Sequence, residues 1–223
     1  MSLRFHNTLT RRLEDFVPLE AGHARMYTCG PTVYNVAHIG NFRAYVFEDL
    51  LRRWLTCKGL RVTQVMNLTD VDDKTIRDSQ AAGKPLADFT AQYKRAFFED
   101  IRALNIEPAE HYPAATDHIP EMIELIRTLE DKGYAYRAGD GSVYFSIAKW
   151  PSYGKLAHLD REGMRSGVRV ATDEYEKENV ADFALWKAWD EKDGDVAWES
   201  PWGRGRPGWH IECSAMSMKY LGP

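Results

Sequence analysis

"MYTCGPTVYNVAHIGN", Met26 to Asn41, sets a cysteine, a Gly-Pro turn, two tyrosines and a histidine just ahead of a helix-like run. Its first residues belong to "ARMYTCG" (24–30), which reads as a buried strand that stops at Gly-Pro. From Phe42 the period changes. Val46, Phe47, Leu50, Leu51, Trp54 and Leu55 recur at steps of three and four, the spacing of one helix face, and Gly59 is placed to end that helix. "LRVTQVMNL" (60–68) then returns to a strand-like run of β-branched and apolar residues. Strand, helix and strand in that order imply two parallel strands joined by a right-handed crossover, the unit of a nucleotide-binding α/β fold.

Downstream, "TDVDDKTIRDSQAAG" begins with capping residues and reads as helical, as does "ADFTAQYKRAFFEDIRALNI". "PAATDHIPEMIELIRTLEDKG" reads as another helix, with Pro near its start and Gly at its end. After Gly133 the character shifts: "YAYRAGDGSVYFSI" reads as aromatic strands around a Gly-Asp-Gly turn, hairpin core rather than a base-stacking platform. "SPWGRGRPGWHIECSAMSMKYLG" brings back a Gly/Pro-rich loop and then a helical stretch. The expected division is residues 1–117 as the first half of a nucleotide-binding domain, 118–205 as an inserted unit, and 206–223 as a return to the first domain.

At 223 residues the chain can bury a real core. No apolar run reaches membrane-spanning length, and "MSLRFHNTLTRRLEDF" lacks the apolar centre of a signal peptide, so the expected location is the cytoplasm, with no membrane partner. A formal charge of −4 argues against a protein that holds nucleic acid through a global basic field, and leaves room for a local basic patch. Cys29, Cys57 and Cys213 are too few, and odd in number, for a disulfide framework. Cys57 reads as structural.

A helix N-terminus facing the carboxyl end of a parallel strand is an anion site. His38 and Asn41 sit at that junction, and Gly40 permits close backbone approach. An imidazole and an amide there can bond phosphate oxygens and stabilise charge on a phosphorus under in-line attack. The blander reading of His38 is a helix cap. Cys29 alone reads as a core residue. Cys213 lies in "GWHIECSAM", with His210 three residues earlier on the same helical face. Two cysteines from distant segments meeting at strand ends suit zinc, although two ligands do not complete a site. The carboxylates of "TDVDDK" (69–74) suggest magnesium, but the preferred reading is a helix start at which Thr69 or Asp70 caps while Asp72 and Asp73 favour the dipole. Thr69 lies at the ligand end of the second strand. Arg204 and Arg206 read equally as phosphate contacts or as solvated side chains.

Five segments in order, "CGPTVYNVAHIGNFRAYVFEDLLRRWL", "NLTDVDDK", "GSVYFSIAKWPSYGKL", "DFALWKAW" and "SPWGRGRPGWHIECSAM", resemble the cysteinyl-tRNA synthetases. The resemblance implies a class I synthetase catalytic domain, a Rossmann-like α/β fold with an inserted connective α+β subdomain. It implies ATP-dependent activation of L-cysteine to an adenylate and transfer to tRNA(Cys), by an enzyme expected to be a monomer. By resemblance, His38 and Asn41 are catalytic, and His38, Gly40 and Asn41 bind ATP, with magnesium as the nucleotide's companion ion. Asn41 replaces the last histidine of the family's His-Ile-Gly-His signature. Cys29 and Cys213 match two of four zinc ligands, and Gly30, Thr69, Trp209 and His210 match positions lining the cysteine pocket. Zinc explains thiols beside an ATP site, since a substrate thiol binds it as thiolate while a serine hydroxyl is a far harder ligand.

The chain departs from the family pattern after Pro223, before the family's remaining zinc ligands, its Lys-Met-Ser-Lys-Ser-type loop and its anticodon region. The expectation is therefore an amino-terminal fragment, with weak or no zinc binding and no complete aminoacylation by these residues alone. Two alternatives stand beside it. One is the cysteine ligase of mycothiol biosynthesis, which makes the same adenylate. The other is a truncated, non-catalytic paralogue that binds nucleotide or a protein partner.

Overall fold

The structure, a computed structural model, describes residues 3–159 and 182–223. The chain opens with an antiparallel hairpin, β1 (Arg4–Asn7) and β2 (Arg12–Asp15), which the sequence reading did not anticipate. Phe5 and Phe16 of this hairpin meet edge to face at 5.4 Å and pack, with Leu51 and Leu60, around Ala24, Leu55 and Val62. The hairpin thereby closes the amino-terminal end of the parallel pair that follows.

That pair is β3 (His23–Thr32) and β4 (Arg61–Thr69), parallel from His23↔Arg61 to Thr32↔Thr69 and joined by α1 (Ile39–Cys57). Two expectations need correction here. β3 does not stop at Gly-Pro; it runs on to Thr32, with a shift of register between Cys29 and Thr32. Pro31 has no N–H to give a ladder, so it is tolerated where the pairing is irregular. The helix begins at Ile39 rather than Phe42, and its buried residues are Tyr45 and Leu55. Val46, Phe47, Leu50 and Trp54, expected on one face of the helix, are exposed by 46, 65, 64 and 47%. The period gave the helix correctly, but the stripe is left largely exposed, with the Lys58 ammonium over the Trp54 ring at 4.3 Å. Cys57, expected to be structural, is an exposed residue at the last turn.

Residues 111–114 run parallel to the far edge of β4, with bridges Val65↔His111 and Leu68↔Ala114. Met66 N–H donates to His111 O at 3.0 Å and Leu68 N–H to Pro113 O at 2.8 Å. Glu110 fixes this third strand-like segment. Its carboxylate accepts two parallel bonds from the Arg52 guanidinium of α1, at 2.8 and 2.7 Å, and one from Gln64 N–H at 2.6 Å. Between β4 and this segment come α2 (Asp73–Ala81) and α3 (Leu86–Ala103). Tyr45, Met66, Leu68, Phe97 and Ile101 form the core on the α1 and α3 face of the parallel strands.

The opposite face is covered by α5 (Trp209–Leu221), which also packs on α4 (Ile119–Asp131). As expected, Pro120 lies in the first turn of α4 and Gly133, at φ +74°, just past its end. A second sheet has the order β5 (Ala135–Arg137), β6 (Val143–Phe145), β7 (Phe183–Ala188), β8 (Gly205–Pro207), all antiparallel. β5 and β6 are the hairpin expected around Gly-Asp-Gly. Val143 and Trp186, both fully buried, join this sheet to the α4–α5 core. β8 straddles the expected boundary at 205, and residues 160–181 of the expected insertion lie outside the described residues.

Two outcomes test this architecture. The Arg52 fork, acting with the Gln64 N–H, holds the Glu110 carboxyl down at about 2. A depressed folded-state value gives stability that is present above the unfolded value near 4.3 and lost as pH falls toward 2. Glu110→Gln is expected to lose on the order of 1 kcal/mol at pH 7 and to flatten the acid limb between about pH 5 and 2, read by urea unfolding across pH. At Gly30 an added Cβ would lie 2.0 Å from the Asn67 carbonyl oxygen. Gly30→Ala should destabilise by ~1–3 kcal/mol or more, because a backbone atom cannot swing aside, and an unchanged urea midpoint would show that the strands are less closely applied.

Candidate functional site

The carboxyl ends of β3 and β4 open beside the first turns of α1 and α5. At α1, the His38 side chain turns back on the helix: Gly40 N–H donates to His38 Nδ1 at 3.0 Å, and Asn41 Oδ1 accepts from His38 N–H at 3.1 Å. Both groups therefore cap the helix, the plain reading of His38. Neither is used up by doing so. With Nδ1 accepting, the neutral ring carries its proton on Nε2, and Asn41 keeps both hydrogens of its amide nitrogen. The first turn holds no acidic side chain to neutralise the positive helix end. Gly40 is required for this arrangement, since a Cβ there would meet His38 Cε1 at 2.8 Å and Nδ1 at 3.0 Å.

Cys29 lies at the register shift of β3 and Cys213 in the second turn of α5, and the two thiols come within hydrogen-bonding reach. That contact holds the Cys29 thiol down at about 6, while the same contact and burial push the Cys213 thiol up. Among the described residues no group of three or more His, Cys, Asp or Glu side chains gathers as a metal cluster.

The remaining expected pocket residues surround this pair unevenly. Gly30 follows Cys29 at the tight approach of the two strands. Thr69 ends β4, is 3% exposed, and accepts a 3.2 Å bond from the Asn67 side chain. Trp209 is 63% exposed and lies over His210, with ring centres 5.2 Å apart. His210 also meets Phe183 of β7 edge to face at 5.2 Å, and burial lowers its pKa, which favours a neutral ring.

The acidic run resolves differently from its expected reading. Asp72, rather than Thr69 or Asp70, caps α2, accepting from Lys74 and Thr75 N–H. Asp70 is buried and satisfied by Lys94 at 2.6 Å and by Thr116 N–H and Oγ1 at 2.9 and 2.8 Å. Asp73 pairs with Arg206 and, at 3.1 Å, with Lys187. Burial pushes its carboxyl up, but these two cations outweigh that and hold it below the usual range. Arg206 is 5% exposed and also bonds Asp193 at 2.8 Å, so the "SPWGRGRPG" loop is packed as a strand with this guanidinium inside. Arg204 instead lies over the Trp189 ring at 5.2 Å. Asn67 and Asp73 were missed as parts of the site. The alternation of β4 puts Asn67 on the face of Thr69, but only the fold reveals Asp73's partners.

Comparison with known proteins bears on all of this. Residues 15–223 match the profile of the tRNA synthetases class I (C) catalytic domain. The chain is 59% identical over 223 residues to a cysteine–tRNA ligase of Protochlamydia amoebophila, covering 99% of this chain and 47% of that protein. It is 60% identical over 220 residues to a cysteine–tRNA ligase of Brachyspira hyodysenteriae, covering 98% of this chain and 46% of that protein. It therefore spans about half the length of the curated relatives it matches. No helix among the described residues is long and apolar enough to cross a membrane. With a parallel pair that ends beside a capped helix N-terminus, and a family profile matched from residue 15 to residue 223, this chain belongs to the class I (C) tRNA synthetase catalytic-domain family.

Proposed function

We propose that the protein this chain belongs to is a cysteine–tRNA ligase, which activates L-cysteine with ATP and transfers it to tRNA(Cys). The observation that carries the reading is the meeting of two thiols from distant segments beside an unneutralised helix N-terminus. We read residues 1–117 and 206–223 as parts of the nucleotide-binding domain and 118–205 as its connective insertion.

In this reading the ATP phosphates lie at the start of α1. His38 Nε2–H and the Asn41 amide donate to phosphate oxygens, while Nδ1 and Oδ1 stay engaged in the cap and keep both side chains oriented. As the cysteine carboxylate attacks the α-phosphorus, charge builds on its oxygens and on the departing pyrophosphate. Donors already aimed there stabilise that charge without reorganising. The positive end of α1 adds to this, and Gly40 leaves the backbone bare. Magnesium would accompany the nucleotide.

Cys29 and Cys213 would hold zinc, which when bound supplies a soft acceptor for the substrate thiolate and so excludes serine. The lowered Cys29 pKa supports metal binding, since a thiolate is the ligand form. Thr69 borders the amino acid from β4, and Trp209 and His210 border it from α5. A neutral His210 does not repel the substrate's ammonium group.

The decisive experiment is cysteine-dependent exchange of pyrophosphate into ATP by a protein carrying this chain with the rest of the relatives' length. Exchange is expected with cysteine and not with serine; equal response to both, or to neither, would overturn the reading. His38→Asn keeps a good capping residue but loses the Nε2–H donor. Its exchange kcat should fall by roughly 10²–10³ with the urea midpoint little moved, and a fall in stability without a fall in kcat would assign His38 to the cap alone.

A further inference from the structure

Two loops carry the crevice. One runs from Thr69 into α2, and the other runs from β8 through Gly208 into Trp209, His210 and Cys213. Asp73 and Arg206 join them. Asp73 lies four residues after Thr69 and Arg206 three before Trp209, and their side chains form an ion pair across the gap. The guanidinium is a rigid planar fork, and its Nε is fixed at the other side by Asp193 at 2.8 Å. Lys187, from the neighbouring strand β7, reaches the second oxygen of Asp73 at 3.1 Å.

The chain between Arg206 and Trp209 has no slack to absorb a shift. A Cβ on Gly205 would lie 2.2 Å from Lys187 O, and one on Gly208 would lie 1.9 Å from Ala184 O. Gly208 N–H donates to Leu185 O at 2.8 Å. The backbone from β8 to α5 is therefore laid hard against β7. A displacement of Arg206 passes on to the first turns of α5, where Cys213 faces Cys29. Removing Asp73 takes one of two acids from the buried guanidinium, at a cost in stability, and frees Arg206 to shift about its remaining bond to Asp193.

We propose that Asp73 and Arg206 are a positioning pair that sets the distance between the Thr69 side of the crevice and the Trp209–Cys213 side. The geometric claim concerns the thiols; its meaning for amino-acid binding rests on the cysteine–tRNA ligase reading. Neither residue touches the reacting atoms. The pair acts through the residues that do.

The test uses thiol bridging in a Cys57→Ser background, with metal removed. A short reagent bearing two alkylating arms is added, and formation of the Cys29–Cys213 bridge is followed by intact mass beside single alkylation of Cys29. Asp73→Ala should slow bridging about tenfold or more, as expected when two reacting groups are misplaced by around an ångström, while single alkylation keeps its rate. The Asp73 side chain is 65% exposed, so this variant should fold, and a urea midpoint checks that it has. Asp73→Glu, which retains the charge, should recover most of the rate. Unchanged bridging in Asp73→Ala, or no recovery in Asp73→Glu, overturns the proposal. In the longer protein, Asp73→Ala should raise KM for cysteine about tenfold or more with KM for ATP unchanged. Slowed bridging with an unchanged cysteine KM would uphold the positioning and overturn the assignment of the crevice to the amino acid.

Discussion

The parallel register of β3 and β4 is the constraint on which the rest of the molecule depends. It brings Cys29 opposite Asn67 and Thr32 opposite Thr69. Because side chains alternate along a strand, a slip of one residue would turn Cys29 away from α5 and toward α1. The pairing is protected against that slip from several directions. The amino-terminal hairpin closes one end, and the missing side chain of Gly30 lets the backbones approach at the other. The run at 111–114 occupies the far edge of β4. Two thiols and a helix N-terminus can be brought together at the strand ends because those ends are fixed by backbone hydrogen bonds rather than by loops.

In the proposed reading, the same side chains at the start of α1 meet two demands. A helix start needs acceptors for its free N–H groups, and a phosphate site needs donors. Imidazole and carboxamide carry one of each, so His38 and Asn41 can turn their acceptors inward and their donors outward. A carboxylate would cap as well and repel the phosphate. A lysine would attract the phosphate and leave the cap unmade. The choice of residue types follows from having to do both within four positions.

Much of this was legible in the residues. The strand–helix–strand succession, the hairpin about Gly-Asp-Gly and the helices opened by Pro120 and closed by Gly133 are local patterns, and local patterns survive folding. The convergence of Cys29 and Cys213 was legible only through the order of elements. Other features depend on partners distant in sequence. Arg206 could not be assigned as solvated or buried from its Gly-rich surroundings, because what buries it are Asp73 and Asp193. The caps within "TDVDDK" were misassigned by two or three positions, because Asp70, a good capping residue by type, is claimed by Lys94 and Thr116. The apolar face of α1 was legible from periodicity, which reports the shape of a helix and not what lies against it.

That face has a practical meaning for the chain studied by itself. Val46, Phe47, Leu50 and Trp54 make a continuous greasy strip along two turns of a helix that is otherwise well anchored. Water wets such a strip poorly, and in a crowded solution it is ready to adhere to a neighbour. Colloidal behaviour would then be governed by a few side chains remote from any chemistry. Mild nonionic detergent, or polar replacements along the strip, would change the handling of the polypeptide while leaving its thiols and its histidine as they are.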